Sequence, residues 1–146
     1  MGFTLLNHQF EDASFSNEET NKQVLDQCVY IKNMSISKID IPFGWQALVL
    51  DYLSMLSKIR GIKRVCHLYA SHGALESIIE IEYRGKSKVP FELMHRYRQK
   101  SFDACYGCGK MNARNKFMLQ TVINICRQCQ QELDNSGYTG TWLDSI

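Results

Sequence analysis

The sequence predicts an α+β fold, with a helix packed on a β-hairpin and a C-terminal four-cysteine element. Three observations carry this. Trp45, Leu48, Val49, Tyr52, Leu53, Leu56 and Ile59 recur at the spacing of one helix face. Leu75, Ser77, Ile79, Ile81 and Tyr83 alternate with Glu76, Glu80 and Glu82, the period of a half-buried strand. Two Cys-x-x-Cys pairs stand at 105–108 and 126–129.

Taken in order, residues 1–41 form an N-terminal segment, expected either to pack on the core or to be mobile. It is polar and irregular at first, with scattered Phe3, Phe10 and Phe15. Ser16 followed three residues on by Glu19 reads as a capping box. It opens a helix over about 17–32 with Val24, Leu25, Cys28 and Ile31 on one side. Ile36, Ile39 and Ile41 read as extended chain, Pro42 closes that stretch, and Phe43-Gly44 turns.

Residues 42–100 hold the α/β core. The 45–59 helix is its widest apolar stripe, and Gly61 ends it. Strands over 62–69 and 75–83 follow, joined by Ser71-His72-Gly73-Ala74. After a loop with Gly85 and Lys86-Ser87-Lys88, Pro90 suits the first turn of a helix over about 90–103. Phe91, Met94, Tyr97 and Phe102 are expected on one side of it. Residues 101–134 are the four-cysteine element, and 135–146 a tail with Tyr138 and Trp142.

The chain has 146 residues, 45% of them apolar and 22% charged, ordinary values for a globular protein and not for a disordered or low-complexity one. No apolar run approaches the ~20 residues that cross a bilayer. No basic stretch followed by an apolar one opens the sequence, so a cytoplasmic protein without membrane attachment is expected. The net charge of +2 hides an asymmetry. Residues 1–57 hold three Lys and seven acids, residues 58–127 hold 14 basic residues and five acids, and residues 128–146 hold three acids and no Lys or Arg. A basic middle suits a nucleic-acid surface, an intramolecular acidic contact or a solvated mixed face.

The cysteines are the strongest chemical signal. Two intervening residues let one tight turn aim both sulfurs of a pair at one ion, and Gly107 and Gly109 ease the first such turn. The 17 residues between the pairs are long enough to run out and back as a hairpin. Asn112-Ala113-Arg114-Asn115 offers turn chemistry and 117–125 reads as a strand. Cys105, Cys108, Cys126 and Cys129 therefore form a candidate zinc site, one Zn2+ per chain. Disulfides would need an oxidising compartment, and a redox Cys-x-x-Cys usually stands alone. With all four positions filled by protein, the metal is structural rather than catalytic. Cys28 and Cys66 lie among apolar neighbours and read as small buried hydrophobes.

Cys105-Tyr106-Gly107-Cys108-Gly109-Lys110, then a hairpin, then Cys126-Arg127-Gln128-Cys129 with Gln130-Gln131-Glu132-Leu133 behind it, resembles a zinc-ribbon or treble-clef knuckle pair. The helix-like tail leans toward the treble clef. With Gly44-Trp45 opening a helix and Gly73-Ala74-Leu75 at a hairpin turn, residues from about 44 to 130 are similar to small uncharacterised proteins of bacteriophages and mobile elements. That resemblance implies such an origin and no enzymatic activity.

An enzyme is not expected. The 105–129 segment holds no His, as an HNH-type nuclease on this scaffold would need. His8, His67, His72 and His95 are scattered, with only His67 and His72 flanking one turn. No P-loop, GxGxxG or GxSxG is present. Two binding roles lead, ahead of an enzyme with an unrecognised site. One is a protein-binding module that occludes a partner carrying an acidic or nucleic-acid-binding surface. The other is a DNA- or RNA-binding protein. In either, the contact surface is expected to draw on Lys86, Lys88, Arg96, Arg98, Lys100, Lys110, Arg114, Lys116 and Arg127. Tyr97 and Tyr106 are candidate stacking groups, and Tyr138 and Trp142 candidate partner anchors.

Overall fold

A computed structural model describes residues 16–28, 35–82, 88–118, 121–135 and 142–144. The fold is α+β. Helix α1 (Glu18–Cys28) leads to two short strands, β1 (Ser35–Ile36) and β2 (Ile39–Asp40). A 3-10 turn over Phe43–Trp45 runs into α2 (Gln46–Ser57), then β3 (Ile62–Ser71), β4 (Ala74–Ile81) and α3 (Val89–Ser101). The C-terminal part holds β5 (Arg114–Met118), β6 (Thr121–Ile125), α4 (Arg127–Asn135) and β7 (Trp142–Asp144).

The first hairpin forms as its alternation predicts. β3 and β4 pair antiparallel, with Ser71 opposite Ala74. The connection is just His72-Gly73, both in the left-handed region at φ 50° and 86°. Two positive φ values in a two-residue loop match the right-handed twist of the flanking strands. β1 and β2 both pair parallel with β3, so the 35–41 segment completes a mixed sheet. Helix α2 buries Val49, Tyr52, Leu53 and Leu56 in the core it shares with this sheet, and its Tyr52 hydroxyl meets the Ser77 hydroxyl of β4 at 2.9 Å. Each such aliphatic side chain is worth roughly 1.5–3 kcal/mol of transfer free energy. Gly61, at φ 90°, carries the chain out of α2 into β3.

Helix α1 packs on α2 through Val24 and Cys28. Its cap lies one residue later than the sequence suggests. Asn17 Oδ1, not Ser16, accepts the Thr20 N–H at 2.9 Å. Ser16 instead accepts from Asn21 Nδ2 (2.9 Å), while Asn21 Oδ1 takes the Ile41 N–H at 2.9 Å. The cap is thereby tied to the strand segment before Pro42. Residues 29–34 and 83–87, and with them Ile31, Tyr83 and Lys86, lie outside the described residues.

α3 is rotated from its expected setting. Pro90, Leu93, Tyr97 and Ser101 face inward, while Phe91 is 60% exposed. Two polar contacts hold that rotation. The Ser101 hydroxyl accepts the Leu75 N–H at 2.8 Å, and the Tyr97 hydroxyl donates to Asp51 on α2. The Tyr97 ring also stacks on Tyr52 at 4.9 Å.

The second hairpin is also displaced along the sequence. Asn112–Asn115 is not its turn, and 117–125 is not one strand. β5 begins at Arg114 and pairs with β6 from Arg114–Ile125 to Met118–Thr121. The 112–115 stretch instead joins the knuckle to β5, with the Ala113 N–H on the Asp103 carbonyl at 3.0 Å. β7 adds to β5 in a separate three-stranded sheet. Cys105, Tyr106, Ile123, Ile125 and Leu133 join the cluster that also contains Val24, Trp45, Leu53 and Leu68. The four-cysteine element and the α/β core therefore share apolar contacts.

Candidate metal centre

The first cysteine pair sits on a tight turn after α3. The Gly109 N–H donates to the Cys105 carbonyl and the Cys105 N–H to the Lys110 carbonyl, both at 3.0 Å. Gly109 takes φ 82°, which a residue with a Cβ adopts only with strain. The second pair opens α4. Cys126 behaves as its N-cap: its carbonyl accepts the Gln130 N–H at 3.0 Å, and its sulfur accepts the Cys129 N–H at 3.4 Å. The hairpin β5–β6 lies between the two turns, so the element reads knuckle, hairpin, helix. That is the order the treble-clef resemblance implies.

This arrangement brings the four sulfurs within 4.8 Å of one another. Cys108 Sγ and Cys126 Sγ are 3.7 Å apart. A disulfide needs ~2.05 Å, and all four cysteines are free thiols. Four sulfurs at ~2.3 Å from one tetrahedral ion stand about 3.8 Å from each other, so the set fits a single ion. Cys105, Cys126 and Cys129 are buried and Cys108 is exposed.

Backbone donors support the charged form. Cys105 Sγ accepts the N–H groups of Gly107 and Cys126, both at 3.3 Å. Burial nevertheless holds the Cys105 thiol above the ordinary range. Burial also raises Cys129, and the neighbouring charge at Cys105 raises it further. Cys126 goes the other way. Burial opposes its ionisation, but the Cys129 N–H and the adjoining thiols donate to its sulfur and bring it down. A site of this kind holds four thiolates only when a cation neutralises them, so a metal bound here would release protons.

Two contacts outside the cysteines set the knuckle on the core. The first is Gly44-Trp45. The Gly44 N–H donates to the Tyr106 carbonyl at 2.8 Å, and a Cβ on Gly44 would lie 2.7 Å from the Gly109 nitrogen. A Cβ on Gly109 would in turn lie 2.5 Å from the Gly44 carbonyl oxygen. The fully buried Trp45 donates its indole N–H to the Ala104 carbonyl at 3.0 Å and meets the Tyr106 ring edge-on at 5.0 Å. The second is Asn124, also fully buried. Its Nδ2 donates to the carbonyls of Gly73 (2.5 Å) and Ser101 (2.7 Å). Its Oδ1 accepts from Asn115 Nδ2 at 2.5 Å, and its carbonyl takes the Tyr106 N–H at 2.7 Å. Sequence reasoning found Gly44-Trp45 as a motif but not its contact, and it missed Asn124. A polar residue amid Ile123, Ile125 and Val122 was the available signal.

The expected cationic surface is only partly assembled. Lys88, Arg96, Lys100, Lys110, Arg114 and Arg127 are exposed. Lys116 is not a surface group, being 9% exposed on the central strand β5. Arg98 is engaged by Glu76 at 2.7 Å and lies over the Phe102 ring. Tyr97 and Tyr106 are buried and offer no stacking face; both rings are used in packing. Tyr138 lies outside the described residues, and the backbone of Trp142 pairs with Met118.

Among the described residues the histidines do not converge, and His8 lies outside them. His67 Nε2 meets Asp40 Oδ2 at 2.7 Å and its ring stacks on Tyr69, whereas His72 sits in the exposed turn and His95 on the exposed side of α3. Cys28 is a buried hydrophobe whose thiol burial pushes up to about 11. Cys66 is half-buried. No helix among the described residues is long and apolar enough to cross a membrane. No protein-family model, curated protein or solved structure matches the chain.

Proposed function

We propose that this is a zinc-stabilised, non-enzymatic interaction protein of phage or mobile-element type, which acts in the cytoplasm by binding and occluding a partner protein. The observation that carries the reading is the closed set of four thiols, tied to the core by Gly44, Trp45 and Asn124. Four soft sulfur donors at tetrahedral spacing favour zinc, and they leave no coordination position for water or substrate. Such an ion shapes and holds a surface. The Gly-Trp and Cys-Gly motifs behind the phage resemblance touch each other, which is a reason for them to occur together.

A protein partner is favoured over nucleic acid because Tyr97, Tyr106 and Lys116 are buried and Arg98 is paired with an acid. Nucleic-acid binding is the second reading, on the exposed Lys88, Arg96, Lys100, Lys110, Arg114 and Arg127. Elemental analysis of native protein should find one zinc per chain. Affinity purification before and after nuclease treatment then separates the two readings. A stoichiometric protein that survives nuclease supports the first. Nucleic acid that co-purifies, and is lost when Lys100, Lys110, Arg114 and Arg127 are changed to Glu, replaces it with the second. Metal-free protein, kept reduced throughout, would remove the basis of both.

A further inference from the structure

The four sulfurs of the knuckle are not alike. Cys105, Cys126 and Cys129 are buried and Cys108 is exposed. Cys108 also lines an open groove of about 710 Å³ between the start of α2 and the first cysteine turn, wide enough for any small solute to enter. Hydrogen bonding divides the set in the same direction. Cys105 Sγ accepts the N–H groups of Gly107 and Cys126, and Cys126 Sγ accepts that of Cys129. Among the described residues no backbone N–H reaches Cys108 Sγ or Cys129 Sγ, and of these two only Cys108 is exposed. Hydrogen bonds to a thiolate lower its basicity and with it its nucleophilicity. Cys108 is therefore the sulfur that is both reachable and least blunted.

A second sulfur stands ready beside it. Cys126 Sγ lies 3.7 Å from Cys108 Sγ. A coordinating thiol is deprotonated outright, and the thiolate is the form that oxidants attack. Attack follows exposure, and a first oxidation product next to a second thiolate condenses to a disulfide instead of climbing to sulfinic acid. Neither Cys28 nor Cys66 belongs to the cluster, so neither has a sulfur neighbour there.

We propose that Cys108 is a modification site of the metal-loaded protein, oxidised by hydrogen peroxide and resolved by Cys126 into a Cys108–Cys126 disulfide that releases the ion. The proposal rests on the zinc reading above and gives that same site a regulator. In the first step the Cys108 thiolate attacks one peroxide oxygen: an S–O bond forms, the O–O bond breaks and hydroxide leaves. In the second the Cys126 thiolate attacks the Cys108 sulfur: the S–S bond forms, the S–O bond breaks and a second hydroxide leaves. The two thiolates lose two electrons, the peroxide gains them, and solvent protons turn both hydroxides into water. The sulfurs close from 3.7 Å to the ~2.05 Å of a disulfide. Two thiolate donors remain, half of what a closed tetrahedral site needs. Such a disulfide is transient in a reducing compartment, as a sensor requires.

The test treats the zinc-loaded full chain with a small excess of hydrogen peroxide, follows zinc release with a chromogenic chelator, and maps tryptic peptides without reduction. Cleavage after Lys100, Lys110, Lys116 and Arg127 puts the first cysteine pair in 101–110, Cys126 in 117–127 and Cys129 in 128–146. Zinc should leave in step with a cross-link between 101–110 and 117–127, which fragmentation places on Cys108. A dithiol and added zinc should restore the loaded protein. Cys108→His keeps a fourth zinc donor without the exposed sulfur, and should release zinc at least about tenfold more slowly. Cys66→Ser should behave as wild type. A cross-link within 101–110, one to 128–146, or sulfinic acid at Cys108 without a cross-link overturns the inference and leaves the zinc reading standing. So does zinc release from Cys108→His at the wild-type rate, or zinc that stays bound while every thiol stays reduced. If Cys108→His holds no zinc, the wild-type peptide map decides alone. Native protein that is metal-free, kept reduced throughout, overturns both.

Discussion

The two hairpins of this protein are held by different forces. β3–β4 is fastened by apolar burial: Ile62, Val65, Leu68 and Leu75 all enter the core. β5–β6 contributes Ile123 and Ile125 to the same core, but it stands between the two cysteine turns, whose four sulfurs are gathered closely enough to hold a metal ion. The first hairpin is held by burial, and the second adds to its buried residues the polar ties of Asn124 and, on the reading proposed above, a metal ion. The lesson is that an element with few buried side chains of its own can be placed by polar contacts to its neighbours, to which a bound metal would add folding energy.

The largest effect should come from removing the metal. A chelator, or Cys126→Ser, is expected to abolish stoichiometric zinc and expose the amides of 105–135 to rapid hydrogen exchange. Amides of α2 and β3 should exchange much more slowly than these. Structural zinc in small peptides contributes ~10–16 kcal/mol of apparent binding energy, so little of the knuckle's order should survive. Equal loss of protection in both hairpins would erase the distinction between them.

Next in size is Gly44→Ala. The added Cβ meets the knuckle backbone, so a loss of about 2–4 kcal/mol is expected in denaturant unfolding of the zinc-loaded protein. A change below about 0.5 kcal/mol would mean that the Gly44–Gly109 contact yields easily. Asn124→Leu removes the donors to Gly73 and Ser101 and leaves two buried carbonyls short of a partner. It should cost about 2–3 kcal/mol, with zinc content unchanged. Loss of zinc in that variant would show that the link to the first hairpin shapes the metal site itself. The smallest effect belongs to Arg98→Ala. Its pair with Glu76 is partly exposed, so melting should shift by the equivalent of 0.5 kcal/mol or less, a typical surface-pair value.

Much of this was legible along the chain. The α2 stripe, the β3–β4 alternation and the paired cysteines are repeats of short period, and each is satisfied by neighbours in sequence. The misreadings have a common cause. Ser16 lost the cap to Asn17 because Asn21 reaches Ser16 and Ile41. Phe91 lost the inward face of α3 because Ser101 and Tyr97 hold partners on other elements. Lys116 and Tyr106 read as surface groups along the chain because nothing adjacent in sequence reveals what covers them.

The sequence by itself determined the helix and hairpin of the core and the two cysteine pairs that come together, because periodicity and Cys-x-x-Cys spacing act over a few residues. Only the tertiary structure decided which cations reach solvent, that Gly44 abuts Gly109, and that Asn124 binds one hairpin's turn to the other's strand. Those contacts join residues about 50 to 65 positions apart. They depend on how whole elements pack, and the identity of a glycine or an asparagine does not specify the backbone it will meet.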